Sequence, residues 1–358
     1  MNYKDIMENT YVPSGLNQYE KAQRYNNITR TVSQLLPSKL YRFRKCEERS
    51  IDAFYKDEIW FSNGSVMNDD FDARLYYDKE AILNWIESFM SDNGCLKIIE
   101  EIGKTDKLPV GFGGLIPNAE CVFNFLKNIS RDQMLTISQQ FMQLIKNDLN
   151  QSLDYITQEV QSRTKFACFT ENIKSDMMWG NYADNATGFA LEYNFGKENV
   201  VTYESGLNAQ SIVWGNLFPV IYGKKRMDTT SYAIYLFQVK FLCQVARRCG
   251  IQYDLNWVNA IVPCPDEFMV TKIAINKSYD WKYEREWRMF YTTNDMYLAK
   301  QEYSYVKHKP TAVYLGRKIS DIHHKIIVDI AKEKNIPVYK MGFNEGSRSY
   351  RLRWEEVI

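Results

Sequence analysis

Trp281-Lys282-Tyr283-Glu284-Arg285-Glu286-Trp287-Arg288-Met289-Phe290-Tyr291 is the stretch around which the rest of the chain can be organised. From Glu286 onward it is aromatic and short, the signature of a strand. Glu284 and Glu286 alternate, so a strand puts their carboxylates on one face. Paired carboxylates push one another's pKa values apart and can divide the roles of general base and electrostatic stabiliser. Arg285 and Arg288 offer the other outcome, a structural ion network. The state of Glu286 discriminates between an enzyme and a binding module: a catalytic carboxylate is expected free in a cleft, whereas a binding module would use the arginines and leave it paired.

Working outward, strands are expected at Leu40-Tyr41-Arg42-Phe43-Arg44, Glu58-Ile59-Trp60-Phe61-Ser62, Phe166-Ala167-Cys168-Phe169-Thr170 and Gly188 to Tyr193. More strands are expected within Ile212 to Tyr222, at Thr311 to Gly316 and Pro337 to Lys340, and at an edge near Ser349 to Trp354. Helices are expected over Ser231 to Arg248, ending at Gly250, over Phe268 to Asn276 and over His323 to Lys334. Residues 79–162 carry apolar residues at helical spacing, interrupted at Gly94 and by the Gly111 to Pro117 loop. They read as a helical insertion between strand-rich regions. Residues 1–38 read as a polar N-terminal arm, and 39–358 as a single domain. The fold class that follows is α+β, with a split, twisted, mixed or antiparallel sheet.

Composition narrows the chemistry. The 358 residues carry 45 Lys+Arg against 44 Asp+Glu, a net charge of +1, so a protein steered globally onto nucleic acid or membrane is not expected, although a local patch is allowed. No apolar run reaches the roughly 20 residues of a membrane helix. The start, MNYKDIMENTYVPSG, shows no signal peptide. Seven scattered cysteines without a CxxC pair suggest reduced thiols and a cytoplasmic setting. With three histidines, two of them adjacent, no metal site is expected. Phosphate-cradling GxGxxG and GxxxxGK[ST] motifs and the GxSxG elbow are missing.

Four clusters carry candidate chemistry. Tyr41-Arg42-Phe43-Arg44 puts two guanidiniums on one strand face, where they can fork onto phosphate or ribose oxygens or remain solvated. Trp60-Phe61-Ser62, followed by Asn68-Asp69-Asp70-Phe71-Asp72, is a polar loop or a capped turn. Trp179 and Tyr182 in Met178 to Asp184 lie one turn apart, a flat wall for a ring or a core pair. The Glu284–Glu286 segment is the fourth.

These motifs occur in the order LYRFR, FS with MNDDFDA, CFT with MMWGNYAD and a later Gly, WKYEREWR, and VYLG. In that order they resemble the bacterial family called domain of unknown function 2971, whose usual forms are LYKYR, FNDPFD, CFS with MWxxYA, WxxExEWR and YLG. Asp70 stands where that family has Pro. More distantly, the chain is similar to the arginine–serine–glutamate class of ADP-ribosyltransferases. That similarity implies a matching fold and NAD as substrate, without a metal. It maps Arg42 or Arg44 onto the arginine, Ser62 onto the serine and Glu286 onto the catalytic glutamate. Phe61-Ser62-Asn63 departs from that class's Ser-Thr-Ser. Glu284 would orient or deprotonate the acceptor, while Tyr41, Asn68, Trp179 and Tyr182 would complete the NAD site. Cleavage of the nicotinamide–ribose bond passes through an oxocarbenium-like state that a fixed carboxylate stabilises. The resemblance further implies a toxin or phage-defence effector, with a protein or nucleic-acid acceptor and an inhibitory partner protein. The alternative from the clusters is a non-enzymatic module that binds a nucleotide or nucleic acid.

Overall fold

Two capped helices open the chain. In α1 (Tyr3–Asn9) and α2 (Gln18–Leu35), the side chains of Asn2 and Asn17 accept from the third helical N–H, and Asp5 and Glu20 reciprocate. Met7, Val12, Ile28 and Val32 enter the main core. The stretch expected as a polar arm with a short helix therefore forms two helices packed on the main core. The computed structural model describes residues 2–90, 128, 130–196, 217–248, 255–291, 304–348 and 350–358.

Next come β1 (Leu40–Arg44), α3 (Glu48–Tyr55) and β2 (Glu58–Asn63). The expected insertion is represented by α4 (Lys79–Met90), α5 (Arg131–Asn147) and α6 (Leu149–Arg163). Gly94 and the Gly111 to Pro117 loop lie outside the described residues. The chain continues through β3 (Lys165–Thr170), α7 (Asp176–Tyr182), β4 (Phe189–Tyr193), β5 (Leu217–Pro219) and β6 (Ile221–Gly223). Then follow α8 (Thr230–Arg248), α9 (Leu255–Ile261), α10 (Met269–Ala274), β7 (Asn276–Ser278) and β8 (Glu286–Phe290). The last elements are β9 (Ser304–Lys307), β10 (Ala312–Leu315), α11 (Asp321–Glu333), β11 (Val338–Phe343) and β12 (Leu352–Glu356). Gly250, the expected cap of α8, lies outside the described residues. Among the described residues no helix is long and apolar enough to cross a membrane.

The fold is α+β, built on a ten-stranded mixed sheet. Its main path runs β12-β11-β10-β4-β1-β3-β2-β9, and β8 joins β3 and carries β5. The β10–β11 pair is parallel, and the other pairs of this sheet are antiparallel. The sheet forks at β3. One edge of β3 is taken by β8, from Phe166↔Phe290 to Thr170↔Glu286. The other edge is shared: β1 meets it at Thr170 through Tyr41, and β2 meets it at Phe166 through Ser62. Between those points the partner strands part.

One face of the sheet carries the main core, including Leu40, Phe169, Phe189, Leu191 and Trp287. A second core, with Tyr41, Phe43, Met178, Trp179 and Tyr314, packs under α7. The insertion helices and α8 share a third, with Ile82, Ile86, Leu153, Ile156 and Phe237. Two motif glycines hold α7 against the sheet. A Cβ on Gly188 would lie 2.1 Å from the Arg44 carbonyl oxygen, and one on Gly316 would lie 2.3 Å from that of Ala186. Both contacts are shorter than any side chain tolerates, so the Gly after MMWGNYAD and the Gly of VYLG are packing requirements.

Candidate functional site

The fork in the sheet opens a cavity of about 120 Å³ lined by residues of β1, β3, α7, β7 and the start of β8. Tyr41, Arg42, Arg44, Asn68, Tyr182, Glu284 and Glu286 line it, with Asp72, Cys168, Thr170 and Lys277. The carboxylates converge by a route that alternation did not foresee. Glu284 ends a 3-10 turn (Tyr279–Glu284), and Arg285 adopts a left-handed conformation, φ 45° and ψ 51°. Glu286 then begins β8. The left-handed residue brings both carboxylates onto one ammonium: Lys277 Nζ donates to Glu284 Oε2 at 2.6 Å and to Glu286 Oε2 at 3.1 Å.

Glu286, expected free in a cleft if catalytic, is instead paired on both oxygens. Arg288 donates Nε to its Oε1 at 2.8 Å and Nη2 to its Oε2 at 3.0 Å. The Arg288 guanidinium, 0% exposed, also forks onto Asp72, with both bonds at 2.6 Å. Its face covers Phe166 at 4.4 Å. Burial alone would raise the Glu286 carboxyl, but Arg288 and then Lys277 outweigh it and hold the pKa down at about 2. Glu284 behaves oppositely. Burial raises its carboxyl, Lys277 opposes this, Glu286 reinforces it, and the net direction is up. Tyr182 donates its hydroxyl to Glu284 Oε1, and Asn68 Nδ2 donates to that hydroxyl at 2.9 Å. A carboxylate offers roughly four lone-pair sites, so Glu284 keeps acceptor capacity for a ligand hydroxyl.

The opposite wall is basic. Arg42 is 8% exposed and donates Nη2 to the Trp60 carbonyl oxygen at 2.5 Å, bridging the fork from β1 to β2. Among the described residues its Nε and Nη1 are buried without a hydrogen-bond partner. Burial, then Arg44, pull its pKa down to about 9, so it is still charged at neutral pH. A buried guanidinium with two nitrogens left without a hydrogen-bond partner is costly. Both nitrogens are donors. Burial also lowers Arg44, whose Nη1 donates to the Phe43 carbonyl oxygen at 3.2 Å.

Two expected residues fall elsewhere. Trp179 is 0% exposed, donates Nε1 to the Ile173 carbonyl oxygen at 2.8 Å and meets Phe43 edge-to-face at 4.9 Å. It does not line the cavity, because the apolar face of α7 turns it into the core. Ser62 pairs with Phe166 on β2 and does not line the cavity. The hydroxyl residue between the arginine strand and the glutamate strand is Thr170, in register with both Tyr41 and Glu286. Its hydroxyl donates to the Glu284 carbonyl oxygen. The signal for it was CFT, already present among the ordered motifs. Lys277 lies in no motif, whereas Asp72 ends the second candidate cluster and Cys168 belongs to CFT. Burial and Glu286 raise the Cys168 thiol well above its ordinary value, which leaves it protonated. Among the described residues no group of three or more His, Cys, Asp or Glu could hold a metal ion.

Fold and cavity together define an α+β protein with a bipolar polar site at a forked mixed sheet. A family model described as "Protein of unknown function (DUF2971)" matches residues 178–289, which run from Met178 of α7 to Met289 of β8 and include Lys277, Glu284, Glu286 and Arg288. The resemblance to that family stands. No curated protein and no solved structure matches the chain.

Proposed function

We propose that the cavity binds NAD and that the chain is an ADP-ribosyltransferase-like enzyme. The observation that carries this reading is convergence: Arg42 on β1, Thr170 on β3 and the Glu284–Glu286 pair at β8 line one cavity on adjacent strands, although they are remote in sequence. The unpartnered Nε and Nη1 of Arg42 fit a phosphate or ribose oxygen. A cavity of about 120 Å³ is below the roughly 300 Å³ of a typical ligand pocket, so it takes one moiety of the dinucleotide and leaves the remainder outside the fork.

NAD would supply a labile nicotinamide–ribose bond. Arg42 anchors an anionic oxygen. Glu286, held ionised by Arg288 and Lys277, presents fixed negative charge to the ribose side. Glu284, whose carboxyl is raised and whose Oε1 accepts from Tyr182, takes the proton of the acceptor nucleophile as that nucleophile bonds to the ribose carbon and nicotinamide leaves. Thr170 and Asn68 keep Glu284 and Tyr182 oriented. The toxin or phage-defence setting, with its inhibitory partner protein, comes from the resemblance alone.

A second reading, non-enzymatic nucleotide binding, is favoured by one observation: Glu286 is paired on both oxygens. Nicotinamide release and NAD binding, measured on wild type, Glu286→Gln and Glu284→Gln, separate the two. Release that falls roughly a hundred- to thousandfold in Glu286→Gln with binding retained supports the enzyme. Binding without release supports the second reading.

A further inference from the structure

A second cavity, of about 230 Å³, lies on the other side of Lys277, which lines both. Arg74, Lys224, Lys225, Arg226 and Lys277 face it, and no Asp or Glu is among its described lining residues. Lys277 is committed to the two glutamates, and Arg74 pairs with Asp154 at 3.2 Å. Arg226 is fixed by donating Nη2 to the Arg74 carbonyl oxygen at 2.8 Å and to that of Leu75 at 2.5 Å. Lys224 and Lys225 are exposed and make no ion pair among the described residues. This concentration of cations stands out in a chain whose net charge is +1.

An aromatic rim accompanies the cations. Phe71 is 59% exposed, large for a phenylalanine in a folded domain, and lines the cavity. The Arg226 guanidinium lies 5.4 Å from its ring centroid and 5.7 Å from that of Tyr76, which is itself 43% exposed. Cations that track a phosphate backbone, beside exposed rings that stack bases, are the elements of a single-strand binding surface. An acidic protein partner would use the cations and leave Phe71 without a role.

We infer that this cavity binds the backbone of a single-stranded nucleic acid, with Phe71 as a base-stacking platform. That it thereby receives the acceptor rests on the NAD reading; the binding itself does not. Because Lys277 is common to both cavities, a strand held here lies beside the Glu284–Glu286 wall.

The test is fluorescence anisotropy of labelled oligo-dT and oligo-U of roughly 12 nucleotides, a length within the range of such sites, titrated at several salt concentrations between about 50 and 200 mM. The oligo-dT and oligo-U arms distinguish DNA from RNA. The Lys224→Ala/Lys225→Ala double variant is expected to weaken binding and to flatten the log–log salt slope by roughly 1.4, the value for two single-strand phosphate contacts. Phe71→Ala is expected to weaken binding roughly 5- to 150-fold with the slope unchanged. Arg42→Met should leave oligonucleotide affinity intact while lowering NAD affinity, so failure of the NAD reading is seen separately. No oligonucleotide binding by wild type, an unchanged slope in the double variant, or equal affinity for a polyglutamate peptide would each overturn the inference.

Discussion

Arg288 holds Asp72 through two parallel bonds of 2.6 Å, Nη1 to Oδ1 and Nη2 to Oδ2, across 216 positions of sequence. This fork ties the MNDDFDA loop to β8 inside the protein, where both partners are buried. Asp72→Asn removes the charge at nearly constant volume and leaves Arg288 under-compensated. A loss of about 3–5 kcal/mol is expected, typical of breaking a buried pair on one side. Chemical denaturation measures it, and a loss under about 1 kcal/mol, the scale of an exposed pair, would show that water reaches the network.

Arg42 should behave in the opposite way. Its Nε and Nη1 have no hydrogen-bond partner among the described residues, so the charge is held at a cost. Arg42→Met keeps an unbranched chain of similar reach without that charge. Stability without ligand should be unchanged or higher, whereas nucleotide affinity should fall about 10- to 150-fold, the range for charged hydrogen bonds of roughly 1.5–3 kcal/mol. Thermal melts and calorimetric titration with NAD report the two quantities. A large destabilisation with unchanged affinity would make Arg42 a structural bridge between β1 and β2.

Trp179 is a core residue, so Trp179→Ala should cost about 3–5 kcal/mol of stability. Per folded molecule, NAD affinity should change little. A melting curve and a binding isotherm on the same preparation check this, and a specific loss of affinity in a stably folded variant would return the ring to the binding site.

The two glutamates carry opposite pH signatures. Glu286 is lowered from 4.5 to about 2, so its contribution is complete above 4.5 and is lost as pH falls through 2. That shift corresponds to on the order of 3 kcal/mol. Glu284 is raised, so its contribution is present below its unfolded value and is lost as pH rises through the folded one. In denaturation curves across pH, Glu286→Gln should flatten the decline between 4.5 and 2. The stability of Glu284→Gln relative to wild type should instead increase with rising pH. Parallel curves for both variants would contradict these assignments.

WKYEREWR announced both carboxylates and the strand that follows them, because aromatic composition and charge alternation are local. The means of their convergence was not local. Arg285 turns left-handed at the junction, and Lys277 comes from β7 in a stretch, Ile275 to Asp280, that carries no motif. The arginine strand was legible from LYRFR, but only the forked ladder shows that Arg42 lines the cavity between β1 and β3. Ser62 is the serine of the second strand in sequence, where the arginine–serine–glutamate similarity puts that residue. The strand adjacent to β1 in the sheet at that point is the third, and it supplies Thr170. Trp179 could not be placed from sequence, since an aromatic pair one turn apart suits a pocket wall and a core equally.

The most direct measurement of the central claim is an experimental structure of the protein soaked with NAD. A phosphate or ribose oxygen should lie about 2.7–2.9 Å from Arg42 Nε or Nη1, as in other charge-assisted bonds, with the nicotinamide-bearing ribose against Glu284 and Glu286. NAD bound away from the β1–β3 fork, or a fork that stays empty at saturating NAD while Arg42 keeps its bond to the Trp60 carbonyl oxygen, would contradict it.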